Sequence, residues 1–133
     1  MTPFKLKIIT PEKTFFEGET EQIIARTASG NIGILAGHAP YVANIVSSPF
    51  QIKLDGQFKT AAISGGLIKV SAEGVTVVTS AVEWADEIDV ARAERAKAEA
   101  ERKIKENASQ KEFERAEQKL RRAMNRLVVA GKK

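Results

Sequence analysis

The sequence predicts a β + α fold: an antiparallel β-sandwich or barrel over residues 1–84, followed by a two-helix hairpin over residues 85–133. Three observations carry this reading. Short β-branched runs recur at regular spacing in the first part, separated by turn residues and with no helical period between them. Asp55-Gly56 stands between Phe50-Gln51-Ile52-Lys53-Leu54 and Gln57-Phe58-Lys59-Thr60-Ala61, which is the signature of a two-residue type I′ hairpin. From Asp89 onward alanine, glutamate, lysine and arginine take over, all strong helix formers, and neither glycine nor proline returns before Gly131.

In chain order, Phe4-Lys5-Leu6-Lys7-Ile8-Ile9-Thr10 alternates apolar and polar residues before Pro11, and Glu21 to Thr27 is a second β-branched run bounded by Ser29-Gly30. The stretch Gly30 to Pro40 is glycine-rich, but apolar residues separate its glycines and no helix follows to aim a dipole at a phosphate. It reads as a bulged turn in which glycine supplies positive φ. Within it, His38 reads as a hydrogen-bonded loop histidine, having no cysteine, second histidine or acid nearby. Tyr41 to Val46 is a strand, Ser64-Gly65-Gly66 a tight bend in a sheet, and Leu67 to Ser71 and Val75 to Ser80 flank a three-residue loop, Ala72-Glu73-Gly74.

The first helix opens with Asp89 and Arg92, three positions apart on one face of its first turn, a pair suited either to a ligand or to capping the helix. A break falls at Asn107-Ala108-Ser109, where Ser109 and Glu112 form a capping box for the second helix. Ala93, Ala96, Ala100 and Ile104 share one stripe of the first helix, and Phe113, Ala116, Leu120, Ala123 and Leu127 one stripe of the second. The two stripes are expected to face each other. Their seam is weak, because an alanine methyl buries about 0.8 kcal/mol against about 1.5–3 for a leucine or phenylalanine. A hairpin held this way can open at a cost a ligand can bias.

With 133 residues and 43% hydrophobic content, the chain suffices for one compact domain and an appendage. It has no cysteine and a single histidine, which excludes thiol chemistry and speaks against a zinc site. The N-terminal residues lack the pattern of a signal peptide, and no apolar run reaches the ~18 residues that span a bilayer, so a soluble chain is expected. Residues 1–86 hold 7 Lys+Arg against 8 Asp+Glu, whereas residues 87–133 hold 14 against 9, so the helical part carries the positive charge.

Phosphate loops, dinucleotide fingerprints, HExxH and GxSxG motifs are all missing from the sequence. What stands out instead is a cationic ridge: Lys111, Arg115, Lys119, Arg122 and Arg126 fall on one stripe of the second helix. Glu112, Glu114 and Glu117 partly neutralise its start, but no acid follows Glu117, which favours binding over mere solubility. The ridge has no aromatic residues for stacking bases, which weakens a nucleic-acid reading.

Four stretches resemble the epsilon subunit of bacterial F-type ATP synthases: Gly33-Ile34-Leu35-Ala36-Gly37-His38-Ala39-Pro40, Ile63-Ser64-Gly65-Gly66-Leu67-Ile68-Lys69-Val70, Ile88-Asp89-Val90-Ala91-Arg92-Ala93 and Arg122-Ala123-Met124-Asn125-Arg126-Leu127. The resemblance covers essentially the whole chain. It implies a sandwich of about ten strands bearing a helical hairpin, in a non-catalytic subunit of the rotor stalk on the cytoplasmic face of the bacterial plasma membrane. The implied partners are the gamma subunit and the c-ring, with the alpha and beta subunits in an extended state of the hairpin that blocks ATP hydrolysis. No nucleic-acid partner is implied, and membrane association comes only through the complex. The inhibitory contact is implied at Arg115, Lys119, Arg122 and Arg126, where arginines facing carboxylates give charge-assisted hydrogen bonds.

Some members of that family bind ATP as a regulatory ligand through Ile/Leu-Asp-x-x-Arg-Ala, which the present chain carries from Ile88 to Ala93. The resemblance then implies a site in which Asp89 and Glu83 accept from the adenine amino group, Ile88 and Ala93 wall it, and Arg92, Arg122 and Arg126 pair with phosphates. Magnesium is left open. Glu99 departs from the pattern, since tightly binding relatives place an arginine there; its carboxylate implies a weaker site or phosphates turned toward Arg95, Lys97 or the second helix. Asn31 departs as well, standing where some relatives carry an acid in the loop facing the c-ring. Two other readings stand beside this one: a stalk subunit that does not sense ATP, its Asp89 and Arg92 serving as helix cap and ion pair, and, more remotely, a basic nucleic-acid-binding module.

Overall fold

The computed structural model describes residues 2–106 and 109–131. Eight strands come first: β1 (Phe4–Ile9), β2 (Thr14–Thr20), β3 (Ile23–Thr27), β4 (Gly30–Ile34), β5 (Tyr41–Leu54), β6 (Gln57–Ser71), β7 (Gly74–Thr79) and β8 (Val82–Trp84). A 3-10 turn (Ala85–Glu87) leads into α1 (Val90–Lys105) and α2 (Gln110–Ala130). The strands are hydrogen-bonded in the order β2-β1-β7-β6-β5-β3-β4, with β8 on β6. Side chains from both ends of that order, Leu6 and Ile8 of β1 and Ile23 and Ile34 of β3 and β4, share one buried cluster with Phe50, Ile63, Ile68 and Val77. The sheet therefore folds over on itself around a single core, as a sandwich.

Eight continuous strands stand where the resemblance implied about ten, and the difference lies in β5 and β6. Each is long enough to serve both layers, and each changes phase at the corner. In β6 the inward residues switch from Ala61 and Ile63 to Ile68 and Val70, and in β5 from Ile45 to Phe50 and Ile52. The β3–β5 register slips at the same place, since Ile24 faces Gln51 while Thr27 faces Ile45. Period-2 reading breaks wherever the phase changes, so one bent strand reads as two. Gly65 and Gly66 make the bend, at φ of 91° and 149°. A Cβ on Gly66 would lie 2.1 Å from the Val78 carbonyl oxygen, so only glycine fits there.

Other expectations need correcting. The sheet is not wholly antiparallel, because β1 and β7 pair parallel, Leu6 opposite Val75 through Ile9 opposite Val78. They are far apart in sequence, so no hairpin dictates their direction. The glycine-rich stretch read as a turn begins as β4, paired with β3 from Ile34 opposite Ile23 to Gly30 opposite Thr27, and turns only after Ile34. β2 escaped the sequence reading because it is a half-exposed edge strand carrying Glu17, Gly18 and Glu19. The Asp55-Gly56 turn has positive φ at both residues, 52° and 80°, as type I′ requires. The loop before β7 has two residues, Ala72-Glu73, with Ser71 facing Gly74.

Asp89 caps α1, its carboxylate accepting from the Arg92 backbone N–H at 3.0 Å, and Ser109 caps α2 by accepting from Glu112 N–H at 3.3 Å. Asn107 and Ala108, the rest of the expected break, lie outside the described residues. Along the seam Ala93 and Ala100 of α1 and Ala116 and Ala123 of α2 are buried, and Ile104, Phe113, Leu120 and Leu127 half-buried. Four buried methyls amount to about 3 kcal/mol of transfer free energy, little for an element of this length.

Candidate functional site

Three contacts dock the hairpin onto the sandwich. Ile88, just before α1, is buried with Ala62, Ala85, Val129 and Ala130, so the joint and the far end of α2 share a small apolar cluster separate from the main core. One turn back, Asn125 donates its side-chain amide to the carbonyls of Ser48 at 3.0 Å and Ile63 at 3.2 Å. These two residues face each other across β5 and β6, so one amide clasps both long strands at their corner. Beside it, Arg126 Nε donates to Glu83 Oε1 of β8 at 2.6 Å, with both side chains about one-third exposed.

Arg126 also borders a cleft of about 330 Å³ between α1, α2 and the sandwich. Ala96 and Ala100 of α1 line it together with Ser64 and Ala81, and its charged residues are Glu99, Lys103, Lys119, Arg122 and Arg126. The alanines that weaken the seam thus also leave room beside it. Glu99 is not loose in this cleft, for its carboxylate accepts from Arg102 Nη2 at 2.7 Å and Nε at 3.3 Å. That hydrogen bond holds the Glu99 carboxyl below its usual range; it outweighs the opposing desolvation and is reinforced by the charges of Arg102, Lys103 and Lys119.

The expected ATP-site residues therefore fall into two groups. Arg122 and Arg126 meet in the cleft, and Glu83 joins them through its ion pair. Ile88 and Ala93 are buried at the joint, while Asp89 and Arg92 are exposed there and do not line the cleft. Asp89 acts as a cap through one oxygen, and among the described residues no ion pair joins its side chain to that of Arg92. The groups are linked by one face of α1, on which Asp89, Ala93, Ala96, Ala100 and Lys103 succeed one another at helical spacing. Arg95 and Lys97, alternative phosphate partners in the sequence reading, do not line the cleft.

Of the expected inhibitory residues, Lys119 and Arg122 line the cleft, and Arg115 and Lys119 border a neighbouring hollow with Lys103 and Glu106. The cationic ridge therefore overlooks the groove between the helices. A larger hollow of about 700 Å³ lies on the other flank of α2 against β5, lined by Arg26, Val46, Arg121 and Met124 among others; Arg122 is the one expected site residue that reaches it. Sequence reasoning missed Lys103, Ser64, Ala81 and Asn125. For Asn125 a signal existed, a poor helix former two residues after a seam alanine in a run of strong ones.

Two family models span this architecture. One, described as ATP synthase, Delta/Epsilon chain, beta-sandwich domain, matches residues 3–85, and the other, ATP synthase, Delta/Epsilon chain, long alpha-helix domain, matches residues 86–131. The chain belongs to the ATP synthase delta/epsilon family.

Among relatives of this family, the ATP synthase epsilon chain of Ruminococcus albus is 60% identical, with the whole of both chains covered. That of Caldanaerobacter subterraneus subsp. tengcongensis is 47% identical over 97% of this chain and 94% of its own, and that of Bacillus velezensis 40% over 98% and 99%. A chain of the Euglena gracilis mitochondrial ATP synthase, in an OSCP/F1/c-ring structure, superposes with a TM-score of 0.83 at 22% identity, covering 100% of this chain and 83% of that one. A chain of the Tetrahymena thermophila mitochondrial ATP synthase central stalk and c-ring gives 0.69 at 13% identity, covering 97% of each. At these identities the likeness is one of fold. Among the described residues no helix is long and apolar enough to cross a membrane.

Proposed function

We propose that this family member is a central-stalk subunit that couples the rotor and inhibits ATP hydrolysis through an ATP-sensitive hairpin. The observation that carries the reading is the economy of the docking: an alanine seam, one small apolar cluster, one amide clasp and one ion pair hold α2 down, and a cation-lined cleft opens beside them. ATP bound there adds contacts only the compact hairpin can make. Without it, α2 is free to leave and carry its cations to acidic segments of the alpha and beta subunits. The sandwich supplies a surface for the gamma subunit and the c-ring: Val78, Leu67 and Asn44 stand in register across β7, β6 and β5, flanked by Val42 and Val46. All four of these apolar side chains are exposed, Val42 to 60%. Four exposed apolar side chains grouped around Asn44 suit burial against a partner. The subunit works peripherally, on the cytoplasmic face of the bacterial plasma membrane, held there by the complex.

Calorimetric titration of the protein with ATP, ADP and GTP, with and without magnesium, tests the reading. Binding of ATP that is lost in Asp89→Ala/Arg92→Ala supports it, and no heat with any nucleotide sinks it. A second reading, a stalk subunit that does not sense ATP, draws on the Asp89 carboxylate being engaged as a helix cap. It requires unaltered behaviour of the double variant in every nucleotide assay.

A further inference from the structure

We infer that the hollow between α2 and β5 is the docking site of an acidic amphipathic helix of another subunit of the ATP synthase, and that this helix engages the chain only while α2 lies against the sandwich. The inference does not depend on nucleotide binding; it needs only the docked hairpin. Charge points to the class of occupant. Arg26, Arg121 and Arg122 line the hollow of about 700 Å³, and no carboxylate does. Arg26 Nε donates to the Asn31 side-chain carbonyl at 3.1 Å, a neutral partner, and among the described residues none of the three arginines makes a salt bridge. All three are exposed. Uncompensated cations around a concavity favour an anionic occupant, and a guanidinium pairs best with carboxylate or phosphate.

The apolar part of the lining decides between those two anions. Met124 and Val128, one turn apart on α2, are 47% and 55% exposed, and Val46 of β5 joins them in the hollow. A polyphosphate or a nucleic-acid backbone would pair with the arginines and leave these three side chains in water, and the lining offers no aromatic ring on which a base could stack. A protein helix with an apolar stripe and a carboxylate flank satisfies both kinds of group. The length agrees. The lining of α2 runs from Gln118 to Val128, about 15 Å at 1.5 Å per residue, close to three turns of a helix laid alongside. Val46 also belongs to the exposed group around Asn44, so the hollow continues a surface already suited to burial.

Dependence on the hairpin follows from where the lining comes from. Arg121, Met124 and Val128 belong to α2, whereas Arg26 and Val46 belong to β3 and β5, so the two halves of the hollow exist together only when α2 is docked. Asn125, which clasps the corner of β5 and β6, also lines the hollow and fixes its halves in register. A helix bound across them adds contacts to the compact hairpin alone and, by linkage, holds it closed. It acts from the flank of α2 opposite the cation-lined cleft, with which the hollow shares only Ser64 and Arg122.

The test uses the full chain assembled in the reconstituted ATP synthase, with the photo-crosslinking residue p-benzoylphenylalanine in place of Val46 or, separately, of Met124, and mass spectrometry of the cross-linked peptides. Both probes are expected to capture the same helical segment, one that carries Asp and Glu along one flank. Arg26→Glu and Arg121→Glu are each expected to lower the yield at both probes at least fivefold, and exchanging the captured segment's acids for lysine should restore it, the scale and sign of a like-charge clash made and then relieved. Arg122 is left unaltered because it also lines the cleft. Capture of different segments by the two probes overturns the contact across both halves. Capture of a second copy of the chain, of a segment without acids, or of nothing overturns the occupant. A yield that ignores both charge reversals overturns the electrostatic recognition, whatever segment is captured.

Discussion

Asn125 spends both hydrogens of its amide on backbone carbonyls of two different strands, a use of a helical side chain that makes sense only if α2 must sit at that corner. Replacing it with alanine raises intrinsic helix propensity by about half a kcal/mol, yet leaves two part-buried carbonyls without a donor, at about 1–3 kcal/mol. The second effect wins. Asn125→Ala is therefore expected to leave α2 helical by circular dichroism while hydrogen exchange at α2 amides facing the sandwich speeds up at least fivefold. Unchanged protection would mean that the Ile88–Val129 cluster and the Arg126–Glu83 pair hold the helix alone. Glu99 offers a second measurement at this scale. Its folded-state value is depressed, so the stabilisation from its pairing is complete at neutral pH and disappears as pH falls through the lowered value. In Arg102→Gln the Glu99 carboxyl resonance should titrate closer to the ordinary carboxylate range. A midpoint that stays put would leave Lys103 and Lys119 as the cause.

Among the elements, the ones legible in the sequence were those whose local chemistry agrees with their final place. Asp55-Gly56 dictates its turn whatever surrounds it, and Ser109 dictates the start of α2. The elements that were not legible owe their form to distant partners. β2 is a strand because β1 pairs with it, in spite of Gly18, and β5 and β6 run through their corner because Gly65 lets the backbone of β6 pass close to β5 and Gly66 close to β7. The candidate site divides in the same way. Ridge and joint are periodic features of α1 and α2, whereas Ser64 enters the cleft from the bend of β6 and Ala81 from the link between β7 and β8, where no helical spacing announces them. The corner itself can be tested by comparing two glycines. Gly66→Ala forces a methyl against the Val78 carbonyl and should destabilise the sandwich by more than 3 kcal/mol in urea unfolding. Gly37→Ala, at φ of 80° in open space, incurs only the left-handed penalty of about 1–2 kcal/mol.

At the scale of the whole molecule, the proposed function sets the docking of the hairpin against ligands that would add contacts to one of its states. ATP at a hundred times its Kd contributes about 2.7 kcal/mol to the state that binds it. That is comparable with the roughly 3 kcal/mol of the four seam methyls alone, so under the proposed reading nucleotide would offset this part of the docking. The contacts of the other state are then separable by mutation. Lys119, Arg122 and Arg126 line the cleft, so under the proposed reading neutralising them would disturb both states at once. Lys111 and Arg115 lie toward the start of α2 and do not line it, which makes Lys111→Gln/Arg115→Gln the cleaner probe of inhibition. In the reconstituted ATP synthase this variant is expected to raise ATP hydrolysis severalfold, and the more so at low salt, where exposed charges act at longer range. Its calorimetric affinity for ATP should match that of the unmodified chain. A chain truncated after Trp84 sets the upper limit, since it lacks the hairpin but retains every strand of the sandwich. Should truncation release hydrolysis while the variant stays fully inhibited at all ionic strengths, the extended helix must be held by its apolar seam residues, now stripped of their partner, and Phe113 and Leu120 become the side chains to change next.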